Sequence, residues 1–86
     1  MQEIELEITN PTGLHTRPGT EFVRLAKSFA CEIEIYKNDK TANAKSIVKL
    51  LKIGISQGDS IRLTCNGDDE TAALEALAEY IRNLKD

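Results

Sequence analysis

The sequence predicts a two-layer α+β fold in which helices cover one side of an antiparallel sheet. Three observations lead there. Short segments alternate apolar with polar residues at the period of a half-buried strand, and other segments carry apolar residues at helical spacing. The two kinds follow one another as β-α-β-β-α-β-α. Strands with one polar face and helices with one apolar stripe bury both surfaces by stacking layer on layer.

Each element has its own justification. Residues 2–9 set Ile4, Leu6 and Ile8 against Glu3, Glu5 and Glu7, a half-buried strand. Asn10-Pro11-Thr12-Gly13 ends it with turn chemistry. Phe22, Leu25, Ala26 and Phe29 then fall at i, i+3, i+4 and i+7, the stripe of a helix. Thr16 is a permitted N-cap for that helix, and Pro18 belongs in its first turn, where a missing N–H costs nothing. Cys31, Ile33 and Ile35 mark a second strand, and Lys37-Asn38-Asp39-Lys40 reads as a tight hairpin into a short strand near 40–44. Ser46 is placed to cap a short helix through Lys52, with Gly54 as its left-handed C-cap. Gln57-Gly58-Asp59 turns into a fourth strand with Ile61, Leu63 and Cys65 on one face. After the break at Gly67-Asp68-Asp69, which also supplies a cap, Leu74, Leu77, Ala78 and Ile81 mark a last helix of about four turns.

The 86 residues, 41% of them hydrophobic, suit one folded domain over residues 1–86 and leave no room for a second core. No apolar run is long enough to span a membrane, and the first residues lack the pattern of a secretory signal. A cytoplasmic location follows as the expectation, with Cys31 and Cys65 as free, buried thiols. A net charge of −3 argues against non-specific nucleic-acid binding. Between residues 16 and 52, however, eight Lys/Arg stand against four acids, while the rest of the chain holds three against ten. That asymmetry suggests one basic face built to meet an acidic partner.

The chemistry centres on Gly13-Leu14-His15-Thr16-Arg17-Pro18, which contains the one histidine. His15 lies off both apolar patterns, in a Gly/Pro-bounded loop just before a helix. That helix start offers backbone N–H groups and a positive dipole end, a ready anion site, and Arg17 adds a planar fork of donors for phosphate oxygens. Free imidazole titrates near ~6.5, so at neutral pH one nitrogen is an available nucleophile. The loop therefore reads as a histidine that accepts phosphate. One His and two strand cysteines are too few ligands for a metal, no cofactor is called for, and acid–base work on a small substrate would need a pocket that so short a chain does not promise. In the second unusual segment, Ser46 to Ile53, Leu50 and Ile53 can point inward only if Val48 and Leu51 point elsewhere. That leaves either an exposed apolar patch ringed by Lys49 and Lys52 or a deeply buried short helix.

The run from Gly13 to Pro18 resembles the active-site signature of HPr, the histidine-containing phosphocarrier family of the bacterial sugar phosphotransferase system. Ala44-Lys45-Ser46-Ile47 through Gly54 resembles the family's regulatory-serine segment, and Gly58 and the last helix fall in register. The resemblance implies a four-stranded sheet in the order 1-4-2-3 with three helices on one face. It also implies a carrier rather than an enzyme: His15 takes a phosphoryl group on Nδ1 from phosphorylated enzyme I and passes it to enzyme IIA domains. Arg17 would steady the phosphate, and Ser46 would be the target of an HPr kinase/phosphorylase. The docking face implied on the first two helices comprises Thr16, Thr20, Arg24, Lys27, Ile47, Val48, Lys49, Leu51 and Lys52, and the protein would act as a monomer. Gly19 departs from the pattern, standing where a small alanine is usual, a matter of at most ~1 kcal/mol of helix propensity. A nitrogen- or dihydroxyacetone-branch paralogue would use His15 equally, and a regulator acting through Ser46 alone is a third possibility. A nucleic-acid-binding sheet would need basic strands with aromatics, whereas the first strand offers Glu3, Glu5 and Glu7 and aromatics make up 5% of the chain.

Overall fold

A computed structural model of the chain describes residues 1–85, with Thr16 described in its backbone alone. Seven elements follow in the expected order: β1 (Gln2–Glu7), α1 (Thr16–Lys27), β2 (Glu32–Lys37), β3 (Lys40–Asn43), α2 (Ile47–Ile53), β4 (Ser60–Asn66) and α3 (Glu70–Arg82). The four strands form one antiparallel sheet in the order β1-β4-β2-β3. Register places Ile4 and Ile35 either side of Leu63, and Glu5 and Tyr36 either side of Arg62. Because the side-chain period of a strand is two, this register sends every apolar side chain of the row to one face. That face carries the core. Ile33, Ile35, Ile61, Leu63 and Cys65 from the sheet meet Phe22, Val23 and Ala26 of α1, Leu50 of α2, and Leu74, Leu77 and Ile81 of α3, all of them buried.

The opposite face is open and acidic. Glu3, Glu5, Glu7, Glu32 and Glu34 lie exposed on it, and the Arg62 guanidinium stacks 4.6 Å from the Tyr36 ring centroid. The hairpin between β2 and β3 turns through Asn38 at φ 57°, a left-handed conformation that asparagine tolerates. The stripe on α1 is centred one position from the expected one. Phe22, Val23 and Ala26 are buried, while Leu25 and Phe29 are half-buried at its edge.

Two helix ends differ from expectation. The N-cap of α1 is His15, at φ −104° and ψ 160°, and Thr16 is the first helical residue, its side chain outside the described residues. Asp69 occupies the N-cap of α3 but makes no side-chain bond to its own helix. Its two carboxylate oxygens accept instead from the backbone N–H groups of Ala30 (2.8 Å) and Cys31 (2.9 Å), tying the start of α3 to the entry of β2. By contrast α2 follows its local signals. The Ser46 hydroxyl accepts from the Lys49 N–H at 3.3 Å, and Gly54 closes the helix at φ 65°. Both cysteines are free and buried; burial, followed by the neighbouring Cys31, pushes the Cys65 thiol up to about 12.

Candidate functional site

The loop that presents His15 is pinned from both sides. Asn10, buried, donates from Nδ2 to the Gly13 carbonyl at 2.8 Å, and the Gly13 N–H donates back to the Asn10 carbonyl at 3.2 Å. Leu14 is wholly buried, and its N–H donates to the Ile55 carbonyl at 3.1 Å. Gly13 stands at φ 62°, so the chain turns there in a conformation that costs other residues steric energy. The next residue, His15, emerges half-buried on this braced loop at the cap position of a twelve-residue helix.

No acid occupies the first turn of α1, and the His15 imidazole makes no capping bond. Gly19 N–H reaches the His15 carbonyl at 3.5 Å, the long first rung of the helical ladder, so the backbone donors of Thr16 and Arg17 lie ahead of it. The positive end of the helix dipole therefore lies at His15, a position that favours an anion beside it. Gly19 has a steric role besides its propensity, because a Cβ there would meet the Leu14 carbonyl oxygen at 2.5 Å. An alanine would press directly on the loop that holds His15.

Arg17 is exposed, and its Nη1 lies 3.6 Å from Glu21 Oε2, one helical turn on. Asp59 is a neighbour the sequence did not mark. The Ser56 N–H and then Lys37 hold its carboxyl below the ordinary value near 3.8, with a smaller pull from the charge of His15. Lys37 Nζ sits 3.0 Å from Asp59 Oδ2 and 2.7 Å from the Gly54 carbonyl, bracing the segment that also receives Leu14. Asp59 pairs with Lys37 and Glu21 with Tyr80, partners far along the chain that no local pattern marks, whereas Asn10 bonds within the turn that the sequence signals.

Beside the loop, α1 and α2 pack together. The Ile47 side chain would lie 3.7 Å from a methyl on Gly19, so the start of α2 adjoins the start of α1. A shallow cleft of about 280 Å³ between them is lined by Thr20, Val23, Arg24, Lys27 and Ile47. Val48 and Leu51 are 65% and 44% exposed, with Lys49 and Lys52 also in solvent, while Leu50 and Ile53 are buried. Of the two readings of this segment, the exposed patch is the one the fold adopts. The basic residues of the middle segment do not all join it. Lys37 is spent on Asp59, Lys40 lies at the hairpin, and Lys45 donates to the Phe29 carbonyl at 2.7 Å. Arg17, Arg24, Lys27, Lys49 and Lys52 remain on the two helices.

Comparison with known proteins gives a consistent picture. A family model described as "PTS HPr component phosphorylation site" matches residues 2–83. The phosphocarrier protein HPr of Buchnera aphidicola subsp. Baizongia pistaciae is 45% identical over 85 residues, spanning 99% of this chain and 100% of the relative. The crystal structure of HPr-C-His from Thermoanaerobacter tengcongensis superposes with a TM-score of 0.94 at 44% identity, over 95% of this chain and 92% of that one. A crystal structure of an HPr dimer from the same organism gives 0.77 at 44% identity, over 95% and 94% of the two chains. Among the described residues, no helix is long and apolar enough to cross a membrane, and no group of three His, Cys, Asp or Glu side chains converges as metal ligands would.

Proposed function

The chain belongs to the HPr phosphocarrier family, and on that footing we propose that His15 accepts a phosphoryl group from phosphorylated enzyme I and hands it to enzyme IIA domains. One observation carries this reading: the sole histidine caps a helix whose first turn holds no acid and begins Thr16-Arg17. In the forward step the Nδ1 lone pair of neutral His15 attacks phosphorus in line. The donor's phosphorus–nitrogen bond breaks as the new one forms, and the Nε2 proton stays in place. Incoming negative charge meets the helix start and the Arg17 guanidinium, which binds phosphate oxygens through parallel donors. The protein is then a substrate of its partners rather than a catalyst, and the site requires no cofactor.

The docking face in this reading joins Thr20, Arg24 and Lys27 of α1 to Ile47, Val48, Lys49, Leu51 and Lys52 of α2; Thr16 belongs to it by position. Apolar side chains at the centre and cations at the rim suit an acidic partner. Ser46, half-buried at the cap of α2 beside this face, is where an HPr kinase/phosphorylase would act. We read the chain as one cytoplasmic domain over residues 1–86 working as a monomer.

The test is phosphorylation with phosphoenolpyruvate and enzyme I. Wild type takes one phosphate, lost in acid and kept in alkali as a phosphorus–nitrogen bond requires, and His15→Ala takes none while melting within about 0.5 kcal/mol of wild type. An acid-stable phosphate retained by His15→Ala would overturn the assignment.

A further inference from the structure

Arg17 has a rival for its guanidinium one helical turn away. Glu21 Oε2 lies 3.6 Å from Arg17 Nη1, at the i,i+4 spacing that brings helical side chains together. The rival is itself held in place. Glu21 Oε1 accepts a hydrogen bond from the Tyr80 hydroxyl at 2.8 Å, across from α3, and the same hydroxyl lies 3.2 Å from the Pro18 carbonyl. A hydroxyl has one proton to give, and the shorter contact is the one to Glu21. The Tyr80 ring is half-buried, with its centroid 6.3 Å from that of Phe22, so the tether ends in the core. A carboxylate fixed from two elements spends less entropy in pairing with Arg17 than a free surface acid would.

We propose that Glu21, tethered by Tyr80, is a positioning residue for Arg17: it holds the guanidinium while His15 is bare and competes for it once His15 carries phosphate. The inference rests on the reading of His15 and Arg17 given above. Carboxylate and phosphate draw on the same donors, so the pair with Glu21 must loosen as Arg17 turns to the phosphoryl oxygens. That loss weighs on the phosphorylated form alone. Glu21 therefore makes the phosphoryl group easier to give away, which serves a carrier better than tight retention. An exposed ion pair of ordinary strength corresponds to a shift of roughly 1.5- to 5-fold in the phosphorylation equilibrium.

The test is a competition at equilibrium. Isotope-labelled wild type and unlabelled Glu21→Gln, at equal concentration, share a limiting amount of phosphoenolpyruvate through catalytic enzyme I, and mass spectrometry reads the phosphate on each. Glu21→Gln is expected to hold the larger share, by roughly 1.5- to 5-fold. Direct repulsion between Glu21 and the phosphate has the same sign, so the competition is repeated between Arg17→Ala and the double variant Arg17→Ala/Glu21→Gln, where equal shares are expected. Tyr80→Phe keeps the charge of Glu21 but cuts its tether, and should move the share in the same direction by a smaller factor. Equal shares in the first competition, an undiminished preference without Arg17, or an unshifted Tyr80→Phe would each overturn the inference while leaving the phosphocarrier reading in place. A wild-type protein that takes no phosphate on His15 would overturn that reading, and this inference with it.

Discussion

A methyl group placed on Gly13 would lie 2.3 Å from the Ile55 carbonyl oxygen and 2.8 Å from Ser56 Cα, both backbone, at a φ of 62°. Neither neighbour can swing aside as a side chain would, and an L-residue is strained at that φ in any case. Gly13→Ala is therefore expected to lower stability by at least about 2 kcal/mol, read from chemical denaturation, and to slow phosphorylation by loosening the loop before His15. An unchanged midpoint would show that the loop yields more easily than its contacts imply. At this scale the sequence was readable where chemistry is local. His15 and Arg17 stand out because the residue types and their spacing before a helix are visible in one dimension. The cap itself was misplaced by one residue, since a threonine is the commoner cap and only the backbone reveals that His15 takes the role. Glu21 and Asp69 could not be read in the same way, because their partners, Tyr80 for one and Ala30 and Cys31 for the other, are brought to them by the fold.

Among the elements, α2 divides its apolar residues most sharply. Leu50 is wholly buried and Leu51 is 44% exposed. Leu50→Ala should cost about 2–5 kcal/mol through the cavity it leaves, whereas Leu51→Ala should leave stability within about 0.5 kcal/mol and weaken the apparent affinity for enzyme I. Comparable stability losses in the two variants would contradict this division of faces. The start of α3 carries a pH dependence of definite sign. Asp69 has its carboxyl held below the ordinary value near 3.8, first by the Ala30 N–H and also by Cys31. A folded value below the unfolded one means that the stabilisation is complete above the unfolded value and is lost as pH falls through the folded one. Asp69→Asn should thus flatten the acid limb of stability below about pH 4 and leave its slope near neutrality unchanged, as denaturant titrations across pH would show. An acid limb identical to that of wild type would remove Asp69 from the account. Element type and order were legible throughout, because periodicity reports which face is buried. The rotation of the α1 stripe toward Val23 was less so, being decided by how α2 and α3 pack against the helix.

Across the whole molecule the charges segregate, with five exposed glutamates on the open sheet face and Arg17, Arg24, Lys27, Lys49 and Lys52 on two of the helices. The composition announced this asymmetry but overstated it, since Lys37 and Lys45 are committed to partners inside the fold. The segregation sets the expectation for Ser46→Asp. An acid at a helix cap is compatible with the dipole, so the melting temperature should hold. The added charge faces an incoming acidic partner, so affinity for enzyme I should fall at low salt and recover as salt is raised. Transfer equal to wild type at every ionic strength would contradict the docking face, and an unfolded variant would contradict the cap. The position of β4 between β1 and β2 also governs timing during synthesis. The hairpin of β2 and β3 and the first two helices are all synthesised before the strand that joins them to β1. Leu14, beside His15, has no acceptor for its N–H until Ile55 has been translated, and the sheet beneath that contact cannot close before Asn66. A nascent chain thus carries its histidine for most of its own translation without the braced loop around it, and that bracing is completed only near the end, in one late step.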